Sequence, residues 1–481
     1  MALFSFGKKQ DNLPPLRFFN TLTGTQEVFE PLSGREVKMY NCGPTVYDYV
    51  HIGNLRSYVF ADTIRRVLDH WGYSVKQVIN ITDFGHLVSD GDEGEDKMTK
   101  GLKREGMALT LPNMRTLAER YTESFISDLE AMGVRTKNIT FPRASDYIPE
   151  QVALIQTLEQ KGYAYRTKDG VYFDTEKFPN YGKLGAINLK GQQGGARLEQ
   201  NPEKKNPHDF VLWKSDKKLG WESPWGLGFP GWHIECTAMI FKLLGKQIDI
   251  HTGGIDHIPI HHNNEIAQAE AVTGKQFARY WMHGEFITIE DKRVGKSVGN
   301  AILLRSLVDR GVSARALRYW YLGAHYRTPM NFTWDAVEGA NAALLRLTRY
   351  FFEETAYTGE EPDPVFMKDF HDYIADDLNT ARALARVWDL VKDEGVSVGI
   401  KHASLVEADK ILGLGFTQTR VVSKLKVAHE GLPENIQQLL KDREAARTSK
   451  DFTAADDLRQ KIEAAGYTLT DSSEGQKLEK K

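Results

Sequence analysis

The sequence predicts an α/β protein: a parallel-sheet domain interrupted by an inserted α+β piece, then a helical bundle and a small helical unit towards the C-terminal end. Three observations predict it. A strand–helix–strand pattern occupies Val37–Thr82, strand character returns at Phe210–Trp213 and Ile248–His251, and the texture turns helical after residue 334. A chain of 481 residues has room for about three domains. Its 41% apolar and 26% charged residues are those of an ordinary globular protein, not of a disordered chain or a coiled-coil rod. The formal net charge of −3 argues against a strongly basic nucleic-acid coat, although a local basic face would still suffice to bind RNA.

The elements follow in order. Residues 1–16 read as a mobile tail ending near Pro14-Pro15, without the apolar core of a secretory signal. Val37–Cys42 is a short buried strand that breaks at Gly43-Pro44. After His51-Ile-Gly-Asn54, Val59, Ala61, Ile64, Val67 and Leu68 recur at helical spacing, Gly72 closes the helix, and Val75–Thr82 is the next strand. Strand, helix and strand in so short a stretch form a βαβ unit and imply a parallel sheet, whose ligands bind beyond the carboxyl ends of the strands. Cys42–Asn54 and Thr82-Asp83 would lie there. Ser89–Gly106 is dense in charge and glycine and reads as a solvated loop running into a helix. Residues 136–205 form the insertion, with a strand at Gly170–Asp174 and a flexible loop at Gly191–Gly195. Amphipathic helices are marked by Ala343, Leu344, Leu347 and Tyr350-Phe351, and again by Ala383, Leu384, Val387, Leu390 and Val391. A linker near Thr417–Glu430 precedes a helical unit over 434–466. No run reaches 18 apolar residues, so no membrane-spanning helix is expected. Two cysteines in the whole chain make no disulfide framework and point to a reducing, cytoplasmic setting.

Three constellations could carry chemistry. His51–Asn54 follows a strand and opens a helix, where free N–H groups and the helix dipole favour anions; an ordinary helix cap gives the same four residues. Lys292-Arg-Val-Gly-Lys296-Ser-Val-Gly-Asn300 is a basic, glycine-containing loop that could bring Lys296 to developing negative charge, or be a plain surface loop. The third gathers both cysteines, Cys42 and Cys236, and the ligand-rich His257-Ile-Pro-Ile-His261-His262-Asn-Asn-Glu265, in which His261 and Glu265 are helical neighbours at i,i+4. Two thiolates, an imidazole and a carboxylate suit Zn²⁺. Spacing alone also allows two buried structural cysteines and core histidines.

Together, Met39-Tyr-Asn-Cys-Gly-Pro-Thr-Val-Tyr-Asp48, Asn206-Pro-His-Asp-Phe-Val-Leu-Trp-Lys214, Pro230-Gly-Trp-His-Ile-Glu-Cys-Thr-Ala-Met239 and His261-His-Asn-Asn-Glu-Ile-Ala-Gln268 resemble the cysteinyl-tRNA synthetase family of class I aminoacyl-tRNA synthetases. The resemblance runs from about Leu16 to Asp471. His51–Asn54 stands at the family's HIGH motif and Arg293–Ser297 at its KMSKS motif.

The resemblance implies a Rossmann-type catalytic domain in two halves, 17–135 and 206–292, split by a connective insertion at 136–205. It further implies a KMSKS-like loop and stem-contact region at 293–333, a helical bundle at 334–418 and an anticodon-binding domain at 419–481. The implied reaction activates L-cysteine with Mg²⁺–ATP and transfers it to tRNA-Cys, with one Zn²⁺ held by Cys42, Cys236, His261 and Glu265. Gly43, Thr82, Trp232 and His233 would bind cysteine. Gly253, Gly254 and Asp256 would bind adenosine. His51, Asn54, Arg293 and Lys296 would meet the phosphates, and Arg447, Phe452, Asp456 and Asp471 the anticodon. A soluble monomer is implied, with no membrane partner.

The sequence departs from the family pattern at several positions. Asn54 replaces the second histidine of HIGH, keeping a donor but no charge. Arg293 and Gly295 replace the first lysine and first serine of KMSKS. Phe84–Lys97 replaces a compact acidic stretch, and the chain's last residues carry no tryptophan. Two other readings share parts of the pattern. One is a cysteine ligase of mycothiol synthesis with an amino-sugar acceptor, disfavoured by the C-terminal unit. The other is a catalytically quiet RNA-binding paralogue, disfavoured by the retained metal and phosphate groups.

Overall fold

The structure is a computed structural model, and it describes residues 13–84, 97–187, 202–293, 301–416, 433–448, 451–472 and 475–480. The chain divides into two compact units, Met1–Leu414 and Gly415–Lys481.

The first unit is built on a five-stranded sheet in the order Ala278–Gly284, Ile248–Gly254, Glu36–Asn41, Ser74–Ile79, Ile139–Thr140, and every pairing is parallel. The strand Glu36–Asn41 lies at the centre. From it the chain crosses to Ser74–Ile79 on one side, whereas Ile248–Gly254 on its other side leads on to Ala278–Gly284. This reversal opens a crevice at the carboxyl ends of Glu36–Asn41 and Ile248–Gly254, the place where such sheets bind ligands. Cys42 and Gly253 stand at its lip.

The helix Ile52–His70 makes the first crossover. His51 caps it in a reciprocal arrangement: its Nδ1 accepts from the Asn54 N–H at 3.3 Å, and the Asn54 Oδ1 accepts from the His51 N–H at 3.3 Å. Leu55, Val59, Ile64, Val67 and Leu68 are buried, which is why an apolar 3.6-residue period was there to be read. Charged side chains on the same helix are buried too. Asp62 forms ion pairs with Arg66 at 2.6 Å and Arg318 at 2.7 Å.

A second, antiparallel sheet runs in the order Ala164–Thr167, Gly170–Phe173, Phe210–Ser215, Gly228–Pro230, so strands from within 136–205 pair with strands beyond it. The sequence placed Phe210–Trp213 at the start of the second half of the parallel-sheet domain. The strand pairs instead with Gly170–Phe173. Phe210, Val211, Leu212 and Trp213 are all buried, and a continuous apolar run of this kind fits any doubly covered strand without naming its partner.

The helices Trp334–Arg349, Pro364–Ala375, Thr380–Lys392 and Val398–Leu412 follow, with Leu344, Leu347, Ala383, Leu384, Val387 and Leu390 buried as the periodicity predicts. The second unit packs the helices Glu434–Thr448 and Phe452–Ala464 and the hairpin Tyr467–Ser472/Gly475–Lys480 around Ile436, Leu440, Ile462, Tyr467 and Leu469. The sequence reading closed this unit at Gly466 and did not foresee the hairpin. Among the described residues no helix is long and apolar enough to cross a membrane.

Candidate metal centre

Four segments converge at the crevice. Cys42 leaves the central strand, its N–H donating to the Thr252 carbonyl at 3.2 Å. Cys236 sits on the helix Trp232–Leu243. His261 and His262 lie on a π-helical turn, Ile258–His262, and Glu265 on the helix Asn263–Thr273 that continues it. His251 comes from the strand Ile248–Gly254. All six side chains are buried.

One donor atom from each of Cys42, Cys236, His261 and Glu265 lies within 4.8 Å of the other three. His261 Nε2 is 2.8 Å from Glu265 Oε1 and 3.7 Å from Cys236 Sγ. Cys42 Sγ is 3.8 Å from Glu265 Oε1. The second oxygen of Glu265 meets His251 Nε2 at 2.8 Å, and His261 Nδ1 meets His233 Nδ1 at 2.9 Å. Ligating carboxylates and imidazoles are held from behind in this way at metal sites.

Burial pushes the Cys42 thiol well above its ordinary range, and the neighbouring Cys236 and Glu265 push it further. Burial works the same way on Cys236, but hydrogen bonds from Cys42 and His261 outweigh it and bring the thiol down to about 6. Burial opposes charge on His261, yet the adjoining Glu265 carboxylate raises it to about 10. Glu265 is itself held well below the usual carboxylate range: burial opposes this, and His251 and His261 prevail. Of the four groups, the Cys236 thiol and the Glu265 carboxyl are the two shifted towards their anionic forms within the buried cluster. Two sulfurs, an imidazole nitrogen and a carboxylate oxygen are a donor set that Zn²⁺ accepts, so the residues fit the group the sequence implied.

The neighbouring candidates surround this cluster. Trp232 lies over His261 with ring centroids 4.3 Å apart, and His233 is buried beside it. Thr82 donates from its hydroxyl to Glu235 Oε2 at 2.8 Å, and both residues are buried. Two glycines are there for space. A Cβ on Gly43 would stand 1.6 Å from the Asn80 carbonyl oxygen, and one on Gly253 would stand 2.6 Å from His257 Nδ1 and 2.7 Å from His262 Cε1. Gly254 and Asp256 are adjacent on the turn that follows the strand, and a Cβ on Gly254 would meet Asp256 Oδ1 at 2.2 Å.

At the head of the helix Ile52–His70, the cap occupies His51 Nδ1 as an acceptor and so leaves the ring proton on Nε2. Arg293 ends the short strand Lys292–Arg293, opposite Thr288. Asp456 is exposed on the helix Phe452–Ala464. Lys296 and the side chains of Arg293, Arg447, Phe452 and Asp471 fall outside the described part of the structure, as do all the charged positions of Ser89–Gly106 before Lys97.

Sequence reasoning assigned no role to His251, His262, His283 or Glu235. The doubled histidine at 261–262 was the available signal for one of them. The other three are single polar residues in apolar runs, which sequence alone does not tell from satisfied core groups.

Comparison with known proteins gives concordant results. Residues 28–342 match the family described as "tRNA synthetases class I (C) catalytic domain", and residues 429–477 match "Cysteinyl-tRNA ligase anticodon binding domain". The cysteine–tRNA ligase 1 of Burkholderia lata is 44% identical over 470 residues, covering 96% of this chain and 97% of that one. The cysteine–tRNA ligase of Treponema denticola is 39% identical over 488 residues, covering 95% and 98%. Among solved structures, a Mycobacterium tuberculosis methionyl-tRNA synthetase bound by methionyl-adenylate is similar with a TM-score of 0.54 at 13% identity, over 80% of this chain and 91% of that one, a likeness of fold.

Proposed function

The chain belongs to the cysteine–tRNA ligase family of class I aminoacyl-tRNA synthetases and is a ligase, and from that premise we propose that it joins L-cysteine to tRNA-Cys through a cysteinyl-adenylate, with Zn²⁺ selecting the substrate thiolate. The observation that carries the zinc part is the buried convergence of Cys42, Cys236, His261 and Glu265 within 4.8 Å. When bound there, Zn²⁺ supplies a soft Lewis acid that takes a thiolate far more readily than a hydroxyl. A pocket reading shape alone would separate cysteine from serine by only about 1–3 kcal/mol.

In the first step a carboxylate oxygen of cysteine attacks the α-phosphorus of Mg²⁺–ATP. A new P–O bond forms, the bond to the β-phosphate's bridging oxygen breaks, and pyrophosphate leaves with the electron pair. Such a displacement needs positioning and charge stabilisation more than a general base. His51 Nε2–H and the Asn54 amide donate to phosphoryl oxygens at the helix N-terminus, where the dipole adds to them. Arg293 and Lys296 balance the charge that builds on the triphosphate. Gly253, Gly254 and Asp256 take the adenosine. Thr82, Gly43, Trp232 and His233 orient the amino acid.

In the second step a hydroxyl of the tRNA's 3′ adenosine attacks the acyl carbonyl and AMP leaves. The match of residues 429–477 to an anticodon-binding domain supports a tRNA acceptor over an amino sugar. Within 419–481 we assign anticodon contacts to Arg447, Phe452, Asp456 and Asp471, by base-edge hydrogen bonds and stacking. The catalytic halves 17–135 and 206–292, the insertion 136–205, whose sheet is completed by Phe210–Ser215 and Gly228–Pro230 from the second half, the loop region 293–333 and the bundle 334–418 are the working division of the chain, acting as a cytoplasmic monomer.

Cys42→Ser tests the reading. It should lose zinc and cysteine-dependent ATP–pyrophosphate exchange together. Full metal content with normal exchange would refute the assignment.

A further inference from the structure

His262 stands beside His261 in sequence and is built the same way. His261 turns Nε2 towards Cys236 and Glu265 and has its Nδ1 against His233. His262 turns Nε2 towards Cys42 Sγ at 3.2 Å and has its Nδ1 against His283 Nε2 at 2.8 Å, and His283 Nδ1 in turn meets Thr21 Oγ1 at 2.8 Å. One ring nitrogen facing the sulfur and the other held from behind is the posture of a metal-ligating histidine. On a regular α-helix adjacent side chains diverge by about 100° and do not face one centre. Here Ile258–His262 is a π-helical turn, and the two imidazoles lie with centroids 5.5 Å apart on the same cluster.

His251 completes a second set. It is fully buried, stacked on Trp281 with centroids 4.4 Å apart, and its Nε2 is 2.8 Å from Glu265 Oε2. One donor atom from each of Cys42, His251, His262 and Glu265 also lies within 4.8 Å of the other three. This set shares Cys42 and Glu265 with the first.

We propose that the centre carries two overlapping metal-binding sets, and that Cys42, His251, His262 and Glu265 retain the ion when Cys236 or His261 is withdrawn. The proposal rests on the reading that the centre binds zinc. Its chemical point is room. Four protein donors ordinarily mark a closed site without a position for a substrate atom. A centre that can release Cys236 or His261 and still keep its ion has a position to give to an incoming sulfur.

The test uses the full-length chain loaded with Zn²⁺ or Co²⁺, with metal content measured after dialysis and with the cobalt absorption spectrum. His261→Ala should keep about one ion per chain, bound more weakly. Cys236→Ser should also keep it, with the sulfur-to-cobalt charge-transfer band reduced to about half. The double variant His261→Ala/His262→Ala should be empty. An empty His261→Ala or Cys236→Ser protein that melts as wild type does would overturn the proposal. So would a double variant that remains filled. Should His261→Ala not fold, Cys236→Ser and Cys236→Ser/His262→Ala carry the same comparison. A wild-type chain that takes up no metal would overturn the zinc reading itself, an outcome distinct from a filled wild type beside empty single variants.

Discussion

Asp62→Asn removes the carboxylate that joins two buried arginines to the helix Ile52–His70. Asp62 Oδ2 pairs with Arg66 Nε at 2.6 Å and with Arg318 Nη1 at 2.7 Å, and the side chains of Asp62 and Arg318 are both at 0% exposure. The arginines pass the contact on. Arg318 Nε donates to the Leu412 carbonyl at 2.6 Å and Arg66 Nη1 to the Lys410 carbonyl at 3.2 Å, so Asp62 clamps the end of Val398–Leu412 onto the helix that His51 caps. Burial alone would raise the Asp62 carboxyl, but Arg318 and Arg66 outweigh it and hold it at about 2, against an ordinary value of 3.8. A depressed native value means stability that is present above 3.8 and is lost as the pH falls through 2. The difference amounts to about 2–3 kcal/mol. Asparagine also leaves Arg318 buried without its counter-charge, which brings the expected loss at pH 7 to about 3–5 kcal/mol. All nine tryptophans precede Leu414, so urea unfolding followed by tryptophan fluorescence reports the first unit. The gap between wild type and variant should narrow by about 1 kcal/mol at pH 3. A loss under about 1 kcal/mol at pH 7, or a gap that does not change with pH, would refute the reasoning.

Three further outcomes follow from the site and from backbone packing. Gly43→Ala would drive a Cβ to 1.6 Å from the Asn80 carbonyl and push Cys42 off the cluster, so metal and cysteine activation should fall together. Gly339→Ala, in the helix Trp334–Arg349 with nothing within 4 Å, should instead raise the unfolding free energy by up to about 1 kcal/mol. Lys296→Ala should slow ATP–pyrophosphate exchange by at least about 100-fold while cysteine binding by the metal-loaded protein changes little. An equal loss of cysteine affinity would point to a structural role for Lys296.

Much of the catalytic framework was legible because its signals are local. Val37–Thr82 shows a strand period, a helix period and a second strand in succession, and the structure has Glu36–Asn41, Ile52–His70 and Ser74–Ile79 there. Cys42 and Cys236 stood out because the chain has no others. What was not legible is non-local or irregular. Phe210–Ser215 reads the same whichever sheet it joins. The strand Gly475–Lys480 is polar and too short to show a period, so the terminal hairpin was missed. An i,i+4 pattern picks out His261 with Glu265 on one α-helical face and passes over His262, which reaches the cluster because the turn before Asn263 is π-helical. Asp62, Arg66 and Arg318 were hidden for a related reason: buried charges look like surface charges until their partners are seen.

The central claim is cysteine-specific charging of tRNA, and the most direct measurement is aminoacylation of total tRNA from the source organism with labelled cysteine, with labelled serine in parallel. The metal-site reading predicts charging of one tRNA species by cysteine and none by serine. Comparable charging with serine would contradict zinc selection of the thiolate, and no charging with either amino acid would contradict the proposed function.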